Sequence, residues 1–327
     1  MPAAGRFQPG VWVTGRWTGE RFWVERLLGA GANGEVYLVR TRRGRAAMKV
    51  SSLAGDIALE WSVMEALRGG SYFPEPMLID DVEGAALYFY VMEWIPGRPL
   101  PARLTPADAG RMVKLVAHVA AGLGLLHQRG YAFCDLKPEN VLWCDGFTPP
   151  LRFVDVGGVT PFGRSVRQFT PAVDRAFWDL GTRESDPAYD LCALALWCVT
   201  AWVPPNLAAL ASQPPAVRRA WLDRALRNFP MPERAAVLRD VFAGRLQTSA
   251  AFLQAWQHPP LRPSRMLGHA GHPRHAGVSG GTSASAGLRL PPAGKRRHDW
   301  TDRVMWGAVA SLAGVAAWAW GTWLHWF

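Results

Sequence analysis

With 327 residues, 49% of them apolar, and a formal net charge of +10, the chain is large enough for two lobes with real cores. Its four cysteines include no CxxC pair, which argues against a disulfide framework or a structural zinc site and predicts a reducing cytosol. The positive charge indicates phosphate-bearing partners or an anionic membrane surface, unless it serves only solubility.

The first hundred residues are predicted to be rich in strands. The run RFWVERLLGAGANGEVYLVR indicates two β-strands around a glycine turn, and RAAMKVSSL continues the sheet. Residues 56–68 have helical periodicity, with Leu59, Val63, Ala66 and Leu67 on one side. The run ALYFYVMEWI predicts another strand, which ends at the breaker PGRP. The opening MPAAGRFQPG has no apolar segment, so we expect no secretory signal.

After Thr105 the pattern becomes helical. A Thr-Pro cap signal begins a helix that ends at Gly130, and further helices are predicted near 187–202, 215–228, 232–243 and 248–257. A small β-rich part therefore precedes a larger helical one, which is an α+β organisation. Residues 259–303 are rich in Pro, Gly, Ser and His with few large apolar side chains, which is typical of a linker.

The last 24 residues, 304–327, carry a single ionisable side chain, His325. A helix of this length reaches about 36 Å, against a hydrocarbon core of about 30 Å, and tryptophans lie near both ends as in interfacial belts. We therefore expect one transmembrane helix; the alternative is a buried helix that closes the fold. Basic residues in GKRRHDWTDR favour the cytoplasmic side. The predicted location is the cell membrane, with a C-terminal anchor and the bulk of the protein in the cytoplasm.

The linker carries most of the excess charge, with eight Arg or Lys and two Asp between 259 and 303. Two partners fit this charge: anionic lipid, at about 1 kcal/mol per basic residue near the surface, and DNA, through counterion release. A stripe of small residues in the predicted membrane helix, Gly307, Ser311 and Gly314, would allow close packing in a homodimer. Small residues are also common in membrane helices that do not pair.

Three glycines stand between two of the predicted strands. Gly29, Gly31 and Gly34 form a GxGxxG pattern, which dinucleotide-binding turns share. A dinucleotide turn opens a helix, whereas Val36 and other β-branched or aromatic residues follow here, so we expect a turn between strands. Such a turn can lie over nucleotide phosphates because no side chains block its backbone. Lys49, on the next strand, would reach the same phosphates.

The segments GAGANGEV, AAMK, CDLKPENVL and VDVGG follow one another in this order. Together they resemble the eukaryotic-type Ser/Thr protein kinases of bacteria, over about residues 20–257. The resemblance implies a bilobal protein-kinase-like fold, with an N-lobe at about 20–95 and a C-lobe at about 96–257, between an N-terminal extension (1–19) and the linker (258–303). The whole architecture is similar to small, C-terminally membrane-anchored kinases of spore-forming bacteria, which have a basic DNA-contacting juxtamembrane segment.

The resemblance implies a site for ATP. Its members would be Gly29, Gly31, Gly34, Val36, Ala47, Lys49, Glu60, Met92, Glu93, Ile95 and Leu142. Lys49 would contact the α- and β-phosphates and pair with Glu60, for which Glu65 is the alternative. The adenine would lie between two apolar side chains and along the backbone after the gatekeeper Met92, with contacts at Ala47, Leu142, Glu93 and Ile95.

The resemblance also implies the catalytic and metal-binding groups. Asp135 would orient the substrate hydroxyl and accept its proton, and Lys137 would steady the γ-phosphate. Asn140 and Asp155 would hold Mg2+, with Mn2+ as an alternative ion. Asp190 would brace the catalytic loop from the following helix, a structural role.

Three features depart from the family pattern. Phe133 and Cys134 replace the usual His-Arg before the catalytic aspartate, Val156 replaces the Phe of Asp-Phe-Gly, and the usual Ala-Pro-Glu ending of the activation segment is not recognisable. The absent Arg normally pairs with a phosphorylated activation loop, so we expect switching by loop phosphorylation to matter less here. Three hydroxyls in the segment are either autophosphorylation sites or ordinary loop groups: Thr160, Ser165 and Thr170.

Two functions of different classes fit these observations. The first is an active protein kinase that transfers the γ-phosphoryl group of Mg-ATP to Ser or Thr hydroxyls of proteins, since DLKPEN resembles Ser/Thr-directed enzymes. The second is a catalytically inactive pseudokinase scaffold that binds nucleotide and nucleic acid at the membrane. Only four of the 36 basic residues are lysines, yet Lys49 and Lys137 are both lysines. Because an ammonium and a guanidinium are not interchangeable at a phosphate, this choice favours the active enzyme.

Overall fold

An antiparallel sheet of six strands forms the N-terminal lobe in the computed structural model, which describes residues 5–31, 33–167 and 169–259. The strands are β1 (Trp12–Thr14), β2 (Arg21–Gly31), β3 (Gly34–Thr41), β4 (Gly44–Ser51), β5 (Pro76–Asp81) and β6 (Tyr88–Glu93), in the order β1-β2-β3-β4-β6-β5. Helix α1 (Ala54–Ala66) connects β4 to β5. The predicted linker and membrane helix fall on residues 260–327, outside the described residues.

The alternation of side chains along β4 separates a core from a functional face. Ala46, Met48 and Val50 belong to an apolar cluster of the sheet that also contains Phe22 and Phe89. Successive side chains of a strand point to opposite faces. Lys49 therefore projects to the other face, where helix α1 lies.

The N-terminal extension contributes to this lobe. Strand β1 pairs with β2, and a bridge between Gly15 and Val82 connects the chain to the segment after β5. The buried carboxylate of Asp80 accepts hydrogen bonds from the backbone N–H groups of Trp17 and Thr18 and from the Thr18 hydroxyl. Residues 12–15, which the sequence assigned to an extension, therefore pair with the sheet, and the turn at 16–18 is held against it by Asp80.

The buried face of helix α1 differs from the predicted one. Leu59 and Ala66, expected on its apolar side, are exposed, whereas Ile57, Glu60 and Val63 are buried. The buried face is rotated from the prediction because a charged residue occupies part of it. Periodicity of apolar residues could not show that a glutamate faces inward.

The C-terminal lobe is helical, and short strands connect its parts. The helices are α2 (Ala109–His127), α3 (Pro187–Trp202), α4 (Leu207–Ala211), α5 (Pro215–Arg227), α6 (Pro232–Phe242) and α7 (Ser249–Gln257). The strands are β7 (Arg98–Pro99), β8 (Tyr131–Ala132), β9 (Val141–Trp143), β10 (Leu151–Phe153) and β11 (Thr160–Pro161). The predicted helices near 187–202, 215–228, 232–243 and 248–257 are present within one residue. The helix predicted after Thr105 begins with a 3-10 turn at Pro106–Asp108, and its α-helical part ends at His127, three residues before Gly130. The short α4 was not predicted.

Two of these helices form the centre of the lobe. Helix α3 is capped by Asp186, whose side chain accepts from the Tyr189 N–H, and begins with Pro187, a favourable first residue. Most of its residues are buried, so it is a core helix. In the described part of the chain, one helical stretch, Pro106–His127, has the length and composition of a membrane span. It packs against α3 and α7 inside the lobe.

Candidate active site

The glycine-rich segment is a tight turn between β2 and β3. Gly31 pairs with Gly34, and Gly29 pairs with Val36 across the two strands. Gly34 has φ of +133°, and a Cβ atom there would lie 2.3 Å from the carbonyl oxygen of Val50. Only glycine fits this position without displacing β4. The expected strand–turn–strand context is present, which is unlike the strand–helix context of a dinucleotide turn.

Lys49 is held by two carboxylates. Its Nζ lies 2.8 Å from Oε1 of Glu60 and 3.2 Å from Oδ1 of Asp155. The hydroxyl of Tyr90 donates to Oε2 of Glu60 at 2.8 Å. Lys49 and Glu60 are buried, so few solvent molecules compete for these bonds. Glu65, the alternative partner, is exposed and pairs with Arg68 at the surface.

The charges around Lys49 determine its protonation. Burial alone would lower the pKa of the Lys49 ammonium, but the carboxylates of Asp155 and Glu60 raise it above its ordinary value. Burial raises the pKa of Glu60, and Lys49 offsets this only in part. Burial also acts to raise the pKa of Asp155, but Lys49 and the N–H of Gly157 lower it. At neutral pH Lys49 is therefore an ammonium and Asp155 a carboxylate, the forms that bind phosphate and metal.

The loop around Asp135 has an unusual backbone. Cys134 has φ of +61°, in the left-handed region that non-glycine residues seldom adopt. The carboxylate of Asp190 compensates by accepting from the N–H groups of Phe133 (2.6 Å) and Cys134 (2.8 Å). His127 contacts the same carboxylate through Nε2 at 2.9 Å. Asp190 thus clamps the two residues that precede Asp135.

Phe133 and Cys134, the two departures from the family pattern, are both buried packing residues. The Phe133 ring lies 4.9 Å from that of Phe153, centroid to centroid, in an aromatic cluster beneath the loop. Cys134 lies in a small apolar cluster with Val166. Burial raises the pKa of the Cys134 thiol far above its ordinary value, so it is an inert thiol.

Asp135 is linked to the predicted γ-phosphate and metal groups. Lys137 Nζ donates to Oδ2 of Asp135 at 2.7 Å, and Asn140 Nδ2 donates to the same oxygen at 2.8 Å and to the Asp135 carbonyl at 3.0 Å. The hydroxyl of Thr170, from the activation segment, donates to Oδ1 at 3.3 Å. Thr170 is a contact that the sequence indicated only as a candidate for phosphorylation.

A cavity of about 690 Å³ is lined by residues that the sequence predicted to bind the nucleotide. It is lined by Gly29, Gly31, Gly34, Val36, Ala47, Lys49, Met92, Glu93, Ile95, Lys137, Asn140, Leu142 and Asp155. Glu60 lies behind Lys49, and Asp135 reaches the lining residues through hydrogen bonds. The N–H of Glu93 donates to the Glu75 carbonyl at 2.9 Å, so its carbonyl is the group that can accept from a base.

Some residues of this cavity were not predicted. Leu28 precedes the first glycine, Val154 precedes Asp155, and Glu139 lies beside Asn140; all three line the cavity. Leu28 and Val154 could have been predicted from the sequence, because each is an apolar residue directly before a motif. For Glu139 we see no signal beyond its place in the motif.

Asn140 and Asp155 would fit a divalent metal ion such as magnesium. Asn140 uses Nδ2 for its bonds to Asp135, which leaves its amide oxygen as a ligand, and Asp155 uses Oδ1 for Lys49 and Gly157. Magnesium takes few protein oxygens and completes its shell with water and substrate phosphates. The described residues contain no cluster of three His, Cys, Asp or Glu side chains that could hold an ion without a phosphate.

The end of the activation segment is held by ion pairs. Arg175 donates to both carboxylate oxygens of Asp186, at 2.8 and 3.0 Å, and to two backbone carbonyls. The buried Asp174 accepts from Arg183 at 2.7 Å and from the Tyr189 hydroxyl at 3.1 Å. These pairs connect the segment to the start of α3 without a phosphate group, in place of the unrecognised Ala-Pro-Glu ending.

The three candidate hydroxyls of the segment differ in access. Thr160 is buried and donates to the Gly158 carbonyl at 2.8 Å. Thr170 contacts Asp135, and Ser165 is exposed. Ser165 is therefore the most accessible of the three.

An antiparallel N-lobe sheet, a helical C-lobe and a Lys–Glu–Asp arrangement beside an inter-strand glycine turn define a protein-kinase-like phosphotransferase. Comparison with known proteins agrees with this class. The chain belongs to the phosphotransferase enzyme family, whose model matches residues 24–269, about three-quarters of the sequence.

Relatives and solved structures extend the comparison. The serine/threonine-protein kinase YabT of Bacillus subtilis is 35% identical over 196 residues, which are 58% of this chain and 58% of the relative. The serine/threonine-protein kinase PknD of Mycobacterium tuberculosis is 37% identical over 128 residues, 36% of this chain and 19% of that protein. The resemblance to bacterial eukaryotic-type Ser/Thr kinases is thus confirmed, although the chain spans little more than half of YabT.

The solved structures bear on the fold. Vaccinia related kinase 3 has a TM-score of 0.61 at 12% identity, over 78% of this chain and 91% of that one. A mutant PknI kinase domain of Mycobacterium tuberculosis has a TM-score of 0.52 at 22% identity, over 77% of this chain and 98% of that one. The predicted bilobal fold is confirmed by these similarities.

Proposed function

We propose that the chain is a Ser/Thr protein kinase that transfers the γ-phosphoryl group of Mg-ATP to protein hydroxyls. The main support is one observation: Lys49 bridges Glu60 and Asp155 at the wall of an open cavity. In this arrangement a phosphate-binding ammonium and a metal-binding carboxylate are already in contact. The name of YabT as a serine/threonine-protein kinase supports the substrate class.

Each residue of the site would have a separate role in the reaction. Bound Mg-ATP would supply the phosphoryl group and the metal charge that neutralises it. Lys49 would bind the inner phosphates, and Asn140 and Asp155 would hold the metal. Asp135 would receive the proton of the incoming alcohol, and Lys137, 2.7 Å from it, would lie beside the transferred group. The glycine turn would cover the phosphates through its backbone.

A kinase assay with three matched variants tests this proposal. The full-length chain, solubilised in detergent, is incubated with labelled ATP, magnesium and a generic protein substrate, beside Lys49→Ala, Asp135→Asn and Lys114→Ala. Lys114 is an exposed lysine of α2 and serves as the control. We expect label transfer from the unaltered chain and Lys114→Ala, and about 100-fold less from the other two. Equal label in all four would leave the inactive pseudokinase scaffold as the better description.

The proposal includes attachment to the cytoplasmic face of the cell membrane. Its support is the sequence of residues 304–327, with one ionisable side chain in 24 residues and basic residues upstream. Alkaline extraction of membranes would test it: the full chain should stay in the pellet, and a variant with arginines at Val309 and Val315 should not. Release of the unaltered chain would contradict the anchor.

The basic linker at 259–303 would bind DNA or anionic lipid and thereby regulate the kinase. Both ligands need only clustered cations, so the support is the net charge of +6 in this segment. Binding of the full chain to duplex DNA and to vesicles with and without phosphatidylserine distinguishes the two. Affinity for DNA that did not fall steeply with salt would contradict a counterion-release contact. Pairing of the membrane helices in a homodimer stays a prediction that crosslinking in membranes can test.

A further inference from the structure

A buried chain of hydrogen bonds connects the last described helix to the catalytic loop. Ser249 Oγ, at the start of α7, lies 2.9 Å from Nδ1 of His127 at the end of α2. Nε2 of the same ring lies 2.9 Å from Oδ2 of Asp190 on α3. Asp190 in turn receives the backbone N–H groups of Phe133 and Cys134. Ser249 and Asp190 are 7% and 0% exposed and His127 is partly buried, so little water competes along this path.

The direction of each bond follows from the acceptor character of the Asp190 carboxylate and, for a neutral ring, from the tautomer of His127. An ionised carboxylate can only accept, so Nε2 of His127 carries the hydrogen that faces Asp190. In the neutral imidazole the other nitrogen, Nδ1, then has a lone pair and needs a donor. The hydroxyl of Ser249 is placed to be that donor. Without it, Nδ1 would be a buried acceptor with no hydrogen bond, and the opposite tautomer would remove the donor to Asp190.

Helices α2 and α7 pack against each other where this contact forms. Gly124 lies in the middle of α2, where glycine costs about 1 kcal/mol relative to alanine. A Cβ atom at Gly124 would lie 3.4 Å from Cβ of Ser249, which is ordinary van der Waals contact, so the two helices approach closely at this point. The Thr248 side chain caps α7 by accepting from the Ala251 N–H at 3.2 Å and holds the first turn in place. The close approach of the two helices and the cap thus place the Ser249 hydroxyl beside the ring.

We propose that Ser249 is a positioning residue for phosphoryl transfer, which acts through the tautomer of His127 on Asp190 and so on the loop that carries Asp135. This inference rests on the proposed kinase function. Cys134 has a left-handed backbone that its surroundings must hold, and Asp190 supplies two of the bonds that hold it. Loosening Asp190 would let Asp135 move away from the acceptor alcohol without altering the ATP cavity.

The test is a double-mutant cycle in the full-length chain: Ser249→Ala, His127→Gln and both together. The glutamine amide can donate to Asp190 without needing a partner at the Nδ1 position. We expect Ser249→Ala to lower the single-turnover rate of phosphoryl transfer about fivefold with an unchanged KM for ATP. The same substitution in the His127→Gln background should cost nothing further. Ser212→Ala, at the exposed end of α4, is the control and should leave the rate unchanged.

Two readouts do not depend on activity. Hydrogen exchange of the Phe133 and Cys134 amides should speed up in Ser249→Ala, and the ring nitrogens of 15N-labelled His127 should show loss of the single Nε2–H tautomer. An unchanged exchange rate and ring signal would overturn the inference, as would an equal loss of rate in both backgrounds or a loss that only follows a fall in Tm. If no variant transfers phosphate, the kinase function fails, and exchange and the ring signal still decide the role of Ser249.

Discussion

Gly158 directly follows Gly157 and belongs neither to the metal site nor to the glycine turn, yet we predict that it is indispensable for orienting Asp135. A Cβ atom at Gly158 would lie 2.6 Å from Cβ of Asp135 and 2.9 Å from the carbonyl oxygen of Phe133. Both neighbours belong to the body of the catalytic loop, not to the end of a flexible side chain. The substitution Gly158→Ala must therefore shift the loop or the segment after Asp155.

The size of the shift follows from these distances. Ordinary contact begins at 3.4 Å, so Asp135 or Gly158 must move by about 0.8 Å. Displacement of a catalytic group by about 1 Å costs roughly 100-fold in rate, and overpacking of a buried site costs about 1–3 kcal/mol of stability. We expect Gly158→Ala to stay folded and to lose about 100-fold in phosphoryl transfer.

Single-turnover transfer and urea unfolding would measure the two effects separately. Gly110→Ala is the matched control, because Gly110 lies on exposed α2 backbone with no atom within 4 Å of an added Cβ. That variant should keep its activity and gain up to about 1 kcal/mol of stability. A transfer rate for Gly158→Ala within about threefold of the unaltered chain would refute the reasoning that this glycine sets the position of Asp135.

Three further substitutions test other parts of the structure. Asp80→Asn should cost about 1–3 kcal/mol of unfolding free energy at neutral pH, because it weakens buried bonds to Thr18. Burial alone would raise the pKa of Asp80, but those bonds lower it, so its contribution is present above pH ~4 and is lost as pH falls through its lowered pKa. Lys49→Arg should lower kcat/KM about 100-fold, since a guanidinium cannot fit between two carboxylates at 2.8 and 3.2 Å. Ser165→Ala should leave kcat unchanged, because Arg175 holds the segment through Asp186 without a phosphate.

Each of these has its own control. Asp81→Asn replaces one carboxylate oxygen of a more exposed acceptor of the Trp17 indole and should cost less unfolding free energy than Asp80→Asn at neutral pH. An equal cost would contradict the role given to burial. Lys114→Arg, on the α2 surface, should keep full activity, and an active Lys49→Arg would show that a compact ammonium is not required. Phosphatase treatment of the unaltered chain should leave kcat unchanged, as Ser165→Ala should. A large loss of kcat on treatment would mean that the ion pairs alone do not hold the activation segment in its active position.

The sequence predicted the local parts of the site because each is encoded over a few neighbouring residues. The turn at Gly31 and Gly34 follows from backbone freedom and flanking β-formers, and the run from Asp135 to Asn140 brings an acid, a cation and an amide together within six residues. The alternation of apolar residues along β4 and the helical periodicity after Thr105 were sufficient to predict that a β-rich lobe precedes a helical one. The kinase resemblance added roles that periodicity does not contain.

Contacts between distant segments could be decided only by the tertiary structure. Leu59 was expected on the buried side of α1, yet Glu60 occupies that face because Lys49 and Tyr90 approach from the sheet. The turn that follows β1 is held against the sheet because Asp80, some sixty positions later, binds the backbone of Trp17 and Thr18.

What the sequence determined by itself is the chemistry available: which side chains can bind phosphate, hold a metal or accept a proton, and where the chain turns. What only the tertiary structure decided is which of them meet, as Arg175 meets Asp186 and Ser249 meets His127. The reason is physical: a local pattern limits the conformations of a few residues, whereas a buried polar contact forms only where the packing of whole helices leaves a donor and an acceptor facing each other without water.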